Sequence, residues 1–203
     1  MTTNEASRPV RRGPYAKSAE RRHAILAAAH DVFAARGYRG GSLQDVADRV
    51  GMSQTSLLHY FPSKSDLLIA VLNWRDSITG DGSTPPDPEE GLVDAVLRQA
   101  RFNERIAGVI ELYTVLCAES VTEGHPGREY FTDRFQKLRR SYTRRFRQLA
   151  EDGRLRDGVE PEVAAATLIA LWDGIQTQWL LAPESVDMAG TLRGYLELII
   201  LPE

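Results

Sequence analysis

The stretch Ser42–Lys64, SLQDVADRVGMSQTSLLHYFPSK, decides how the rest of the chain is read. Ser42 is a good helix N-cap, and Asp45 three residues on stands in capping-box position. Leu43, Val46, Ala47 and Val50 recur at helical spacing and give that helix one apolar face. Gly51 follows where a helix commonly ends in a left-handed residue, a conformation cheap only for glycine. Ser53 opens a second helix, which carries Leu57, Leu58 and Phe61 inward until Pro62 disfavours helical geometry at Phe61. Ser63, with Asp66 three residues later, caps a third helix. Two short helices joined by a glycine turn form a helix-turn-helix, whose second helix is the right size to enter the DNA major groove.

The polar residues of this unit suit DNA. Gln54, Thr55 and Ser56 lie at the N-terminal end of the second helix, behind Ser53, at the end that meets base edges in this motif. Gln pairs with an adenine edge, and a Thr methyl touches a thymine methyl. His59, Tyr60 and Lys64 follow as donors suited to phosphate, and free N–H groups at the third helix start would add to a phosphate site beside Lys64. With Ser42 and Ser53, these residues make the candidate DNA-facing set. From the caps alone, a structural helix pair whose polar residues face water remains open as an alternative.

With SLQDVADRV before it, GMSQTSLLHYFPSKSDLL resembles the DNA-binding motif of the TetR family of bacterial transcriptional regulators, over about Ile25 to Val71. Two positions depart from the pattern. Leu58 stands where the family often has a phosphate-holding Tyr, and Thr55 where it has a small residue such as Gly. The resemblance implies a ligand-responsive regulator, usually a repressor, with the last long helices pairing across a two-fold axis. A double-stranded palindromic operator, a small-molecule effector and a second copy of the chain are then the expected partners.

Charge is split along the chain. Of 203 residues with a net charge of −3, residues 1–65 carry a net +5 and residues 66–203 a net −8. A basic front on an acidic body is expected if only the front touches DNA. The single cysteine, Cys117, excludes an internal disulfide and sits in an apolar helical stretch, as a buried structural thiol would. The N-terminus lacks the apolar core of a signal peptide, and no run approaches the length that spans a bilayer, so a cytoplasmic protein with no membrane partner is expected. No pair of His, Cys, Asp or Glu has metal-site spacing, and His23 and His30 read as surface or boundary residues. No nucleophile–base pair or Gly-rich phosphate loop supports an enzyme, and no cofactor is implied.

In chain order, residues 1–17 read as a flexible basic arm, with Arg11 and Arg12 placed to reach the adjacent minor groove or phosphates. Ser18–Arg36 reads as an amphipathic helix that supports the helix-turn-helix, with Arg21 and Arg22 as further phosphate donors, so residues 18–66 form the DNA-binding unit. A helix to about Ile78 leads into the linker GDGSTPPDPEE, and residues 67–203 read as a helical body for ligand binding and dimerisation. Helical patterns follow at about Glu89–Phe102, Glu104–Thr122, Arg128–Glu151, Glu160–Leu181 and Val186–Leu201. The fold class is all-α: a three-helix helix-turn-helix head on a C-terminal helical bundle. The arginines of 139–147 read as a solvated face, and Ala165, Leu168, Trp172, Ile175 and Trp179 as a wide apolar face suited to a two-fold interface. Large side chains suggest an apolar effector pocket lined by Phe102, Tyr113, Leu116, Glu119, Phe131, Phe135, Trp172, Gln176 and Trp179. A constitutive DNA-binding regulator without an effector is the alternative, and a small α-helical enzyme a remote one.

Overall fold

The computed structural model describes residues 14–80 and 90–202. Among these the elements are α1 (Pro14–Gly40), α2 (Leu43–Arg49), α3 (Gln54–Leu58), α4 (Lys64–Thr79), α5 (Leu92–Glu104), α6 (Ala107–Glu119), α7 (Arg128–Glu151), α8 (Pro161–Leu181) and α9 (Met188–Ile199). The described residues are all-α. Their one β-type pairing is an isolated bridge, Leu155 to Ile200, which ties the α7–α8 loop to the chain after α9. No helix among the described residues is long and apolar enough to cross a membrane.

The first helix differs from its expected span at both ends. It opens at Pro14 rather than Ser18, as the first turn of a helix tolerates proline. Pro14–Lys17 are therefore helical rather than part of an arm, and Arg11 and Arg12 lie outside the described residues. At the other end Gly37 breaks the helix as expected, with φ 67° and ψ 177°, and a further short turn runs on to Gly40. The reason lies across the molecule. The Tyr38 N–H donates to Glu119 Oε2 at 2.5 Å, and a Cβ on Gly37 would run into that same carboxylate.

Two cores form. In the first, Ile25, Ala29 and Phe33 of α1 meet Val46 and Ala47 of α2, Leu57 of α3, Phe61, and Leu67, Leu68, Val71 and Leu72 of α4. Leu112, Tyr113 and Leu116 of α6 and Phe131 of α7 belong to this same core. The head thus shares its interior with the body, and the boundary drawn between residues 66 and 67 falls inside one packed unit. At about 1.5–3 kcal/mol for each large apolar side chain buried, the α6 contribution alone fixes the head firmly on the body. The second core joins Val96 and Ala100 of α5, Ile110 of α6, Phe146 of α7, Leu168 and Trp179 of α8, and Leu192 and Leu196 of α9.

Candidate functional site

The helix-turn-helix forms where its caps lie. Ser42 Oγ accepts from the Asp45 N–H at 3.0 Å, and Asp45 Oδ2 accepts from the Ser42 N–H at 2.9 Å and from its hydroxyl at 2.6 Å. Gly51, at φ 65°, turns the chain, and the Met52 N–H closes onto the Ala47 carbonyl at 3.0 Å. Ser53 Oγ accepts from the Ser56 N–H at 3.1 Å and lies 2.8 Å from the Ser56 hydroxyl. The three serines of the DNA-facing set are therefore engaged in holding the helix starts. Leu57 and Phe61 are buried, while Leu58 is only half-buried. Gln54 and Thr55 stay exposed on a helix of five residues, His59 is exposed at its C-cap, and Tyr60 is half-buried behind them.

The basic residues around this face also hold the head together. Arg22 sits 4.3 Å over the Phe61 ring and donates to the Tyr60 carbonyl at 3.3 Å, and Arg21 donates to the Val50 carbonyl at 3.2 Å. Both clamp the helix-turn-helix to α1. Lys64 is half-buried, its ammonium 4.5 Å over the Tyr38 ring, and burial pulls its pKa down. Tyr38 in turn meets Ser65 Oγ through its hydroxyl at 3.0 Å and packs edge-on against His125. Lys64, Tyr38, Glu119 and His125 thus form the joint between head and body.

A cavity of about 790 Å³ opens beyond the far end of α4. Its walls come from α4 (Arg75, Ile78, Thr79), α5 (Gln99, Phe102, Asn103), α6 (Tyr113), α7 (Arg134, Leu138, Tyr142, Arg145) and α8 (Ile169, Trp172, Asp173, Gln176). Of the residues expected to line a pocket, Phe102, Tyr113, Trp172 and Gln176 come together here. The others lie elsewhere. Leu116 and Phe131 are in the first core with Phe135 packed against it, Glu119 is at the joint, and Trp179 is in the second core.

The lining is more polar than the expected apolar pocket. Arg75 and Arg134 each donate through Nη1 to Asp76 Oδ1 at 3.0 Å, and Arg134 also donates to the Gly80 carbonyl at 3.1 Å. Both guanidinium groups lie over the Tyr113 ring, 4.3 and 5.4 Å from its centre. Burial pushes the Asp173 carboxyl up to about 6 against the pull of Arg134 and Arg75. Gln176 braces the wall: its Oε1 accepts from Trp172 Nε1 at 3.2 Å, and its Nε2 donates to Thr114 Oγ1 at 3.3 Å. Arg145, from the run read as a solvated face, turns in and donates to the Glu90 carbonyl at 2.7 Å, while Arg139, Arg140, Arg144 and Arg147 are exposed. Burial raises the Cys117 thiol to about 11, which suits a structural residue.

The outer face of α8 is also unlike the expectation. Ala165, Leu168, Ile175 and Trp179 turn into the chain's own core. The side left open carries Val163, Ala166, Ala170, Gly174, Thr177 and Leu181, and α9 leaves Thr191, Gly194 and Leu198 open.

A sequence model described as "Bacterial regulatory proteins, tetR family" matches residues 25–71, and one described as "BetI-type transcriptional repressor, C-terminal" matches residues 88–200. The chain belongs to the TetR family of bacterial transcriptional regulators. It is accordingly a DNA-binding regulator and not an enzyme. The regulator RutR of Escherichia coli is 44% identical over 71 residues, 35% of this chain and 30% of that protein, so this match spans less than a third of RutR's length. The regulator TtgR of Pseudomonas putida is 24% identical over 187 residues, covering 88% of this chain and 89% of that protein. Among solved structures, a regulator from Saccharomonospora viridis in complex with choline superposes with a TM-score of 0.75 at 21% identity, covering 91% of this chain and all of that one. That likeness carries the TetR-type fold across the whole body.

Proposed function

We propose that this TetR-family chain is a ligand-responsive repressor, released from a two-fold-symmetric operator when a small molecule fills the cavity between α4 and α8. The observation that carries the reading is the position of α4. Its last turns supply Arg75, Ile78 and Thr79 to the cavity wall, and its first residue, Lys64, lies five residues beyond His59 at the end of the recognition helix. A shift at the cavity therefore moves the element on which the head stands. α6 offers a second route, from Tyr113 in the wall to Glu119 at the Tyr38 N–H. At 1.5 Å rise per residue those two side chains are about 9 Å apart along one rigid helix.

A homodimer follows from the size of the reading head. Five helical residues with Gln54 and Thr55 exposed read too few bases alone, and two-fold pairing doubles the site. The open stripe of small and apolar residues on α8, continued by Leu198 on α9, is the surface that suits the pairing. Acting on DNA, the protein would work in the cytoplasm. To turn a mostly DNA-competent population into a mostly incompetent one, the effector must bind the second state about 10⁴-fold more tightly. Selection of bound sequences from random DNA, followed by anisotropy titrations with compounds that bind the protein, tests the reading. Selective binding that no cavity occupant relieves would leave a constitutive regulator instead.

A further inference from the structure

We infer that the cavity takes an anion: a small carboxylate on an aromatic or alicyclic body, held by Arg75 and Arg134. This rests on the cavity being the effector site. Arg75 is 3% exposed and Arg134 9%, so both charges are out of water, and they share one oxygen of one carboxylate, Asp76. A guanidinium offers five N–H donors. The Nε of each arginine is buried with no hydrogen-bond partner. Buried donors left unmade are costly, and charged ones more so. Asp173 lines the same space but forms no ion pair with either arginine among the described residues. Arg98, ion-paired with Glu90, and Arg105 and Arg145 complete the basic lining, so that five arginines stand against Glu90, Asp173 and the adjoining Asp76.

That balance decides the sign of the ligand. A quaternary ammonium such as choline, held by the structural neighbour from Saccharomonospora viridis, would here be set beside two buried guanidiniums. A carboxylate instead brings a second counter-charge to two guanidiniums that share one Asp76 oxygen, in the planar geometry that suits arginine. The remaining wall fits its body. Phe102, Leu138, Tyr142, Ile169 and Trp172 form an apolar and aromatic surface, and about 790 Å³ is within the range of small-molecule sites. Because Arg75 is on α4 and Arg134 on α7, one anion bridging them ties the element under the head to the body.

The test is calorimetric titration of the full-length protein with three probes: 1-naphthoate, its neutral counterpart 1-naphthamide, and choline. Naphthoate is expected to bind about ten- to a hundredfold more tightly than naphthamide, the range that charge-assisted hydrogen bonds supply. Arg134→Gln should bring the two naphthyl probes close to equal affinity, and Arg134→Lys should restore part of the difference. The wild-type comparison stands even if the glutamine variant fails to fold. Naphthamide or choline binding as tightly as naphthoate overturns the anion assignment and leaves the effector cavity in place. No saturable binding of any probe overturns both.

Discussion

Replacing Asp76 with asparagine probes the charge arrangement around which the cavity is built. The Asp76 side chain is 13% exposed, and its Oδ1 accepts from both Arg75 and Arg134 at 3.0 Å. Asparagine keeps the shape and one acceptor oxygen but removes the only carboxylate paired with either guanidinium among the described residues. Breaking a buried ion pair from one side costs about 3–5 kcal/mol, because the partner's charge is left uncompensated. Since the amide oxygen still serves one arginine, the lower figure, about 3 kcal/mol, is the expectation. In a chain of this size that lowers the melting temperature by about 6–12 °C, measured by circular dichroism at one fixed protein concentration. The same substitution raises the positive excess in the cavity, so naphthoate should bind the variant more tightly than the wild type and recover part of the lost stability. A melting temperature within about 2 °C of the wild type, less than 1 kcal/mol on that scale, would refute the charge argument.

Gly37→Ala combines a left-handed φ with a Cβ driven into the Glu119 carboxylate, and should cost about 1–3 kcal/mol in thermal unfolding while loosening head from body. Gln54→Ala and Thr55→Ala should each relax preference at particular bases by about 1–3 kcal/mol in competition binding, with little change in stability. Naphthoate binding should depend on pH through Asp173, which faces Arg75 of α4, Tyr113 and Cys117 of α6 and Arg134 of α7. A bound anion raises the Asp173 pKa beyond its value of about 6, so binding takes up a proton. Affinity should climb as pH falls from neutral towards about 6 and level off below it, and Asp173→Asn should flatten that slope in calorimetry.

The parts of this fold that could be read from sequence are those written in local rules. Ser42 with Asp45, Gly51, Ser53, and Ser63 with Asp66 each form the cap or turn that their spacing implies, because capping depends on residues three apart. Arg128–Glu151 runs between the same residues in the structure, bounded by a glycine turn at each end. What local rules missed was set by distant partners. Nothing near Gly37 in the sequence shows that Glu119 will occupy its empty side, and nothing near Lys64 shows Tyr38 beneath its ammonium. Large apolar residues at helical spacing point poorly to a cavity, since most of them are core, as Leu116, Phe131 and Trp179 are. A usable signal was present in the charges. Arg75 falls three residues after Leu72, Arg134 three after Phe131, and Asp173 four after Ile169, each on a buried stripe where a charge needs a partner.

Control of DNA binding from the cavity is tested most directly by fluorescence anisotropy on a selected operator. The wild type and Trp172→Ala would each be titrated with a compound that calorimetry has shown to bind the wild-type protein. The wild type should hold a site with two-fold symmetry, its half-site centres about 34–36 Å or a multiple of that apart, and should release it as the compound saturates. Trp172→Ala, with a wall of the cavity cut away, should hold the same site with unchanged affinity and fail to release it. Release that persists unchanged in Trp172→Ala would contradict the placing of the switch in this cavity, and a protein that enriches no DNA sequence would contradict the operator itself.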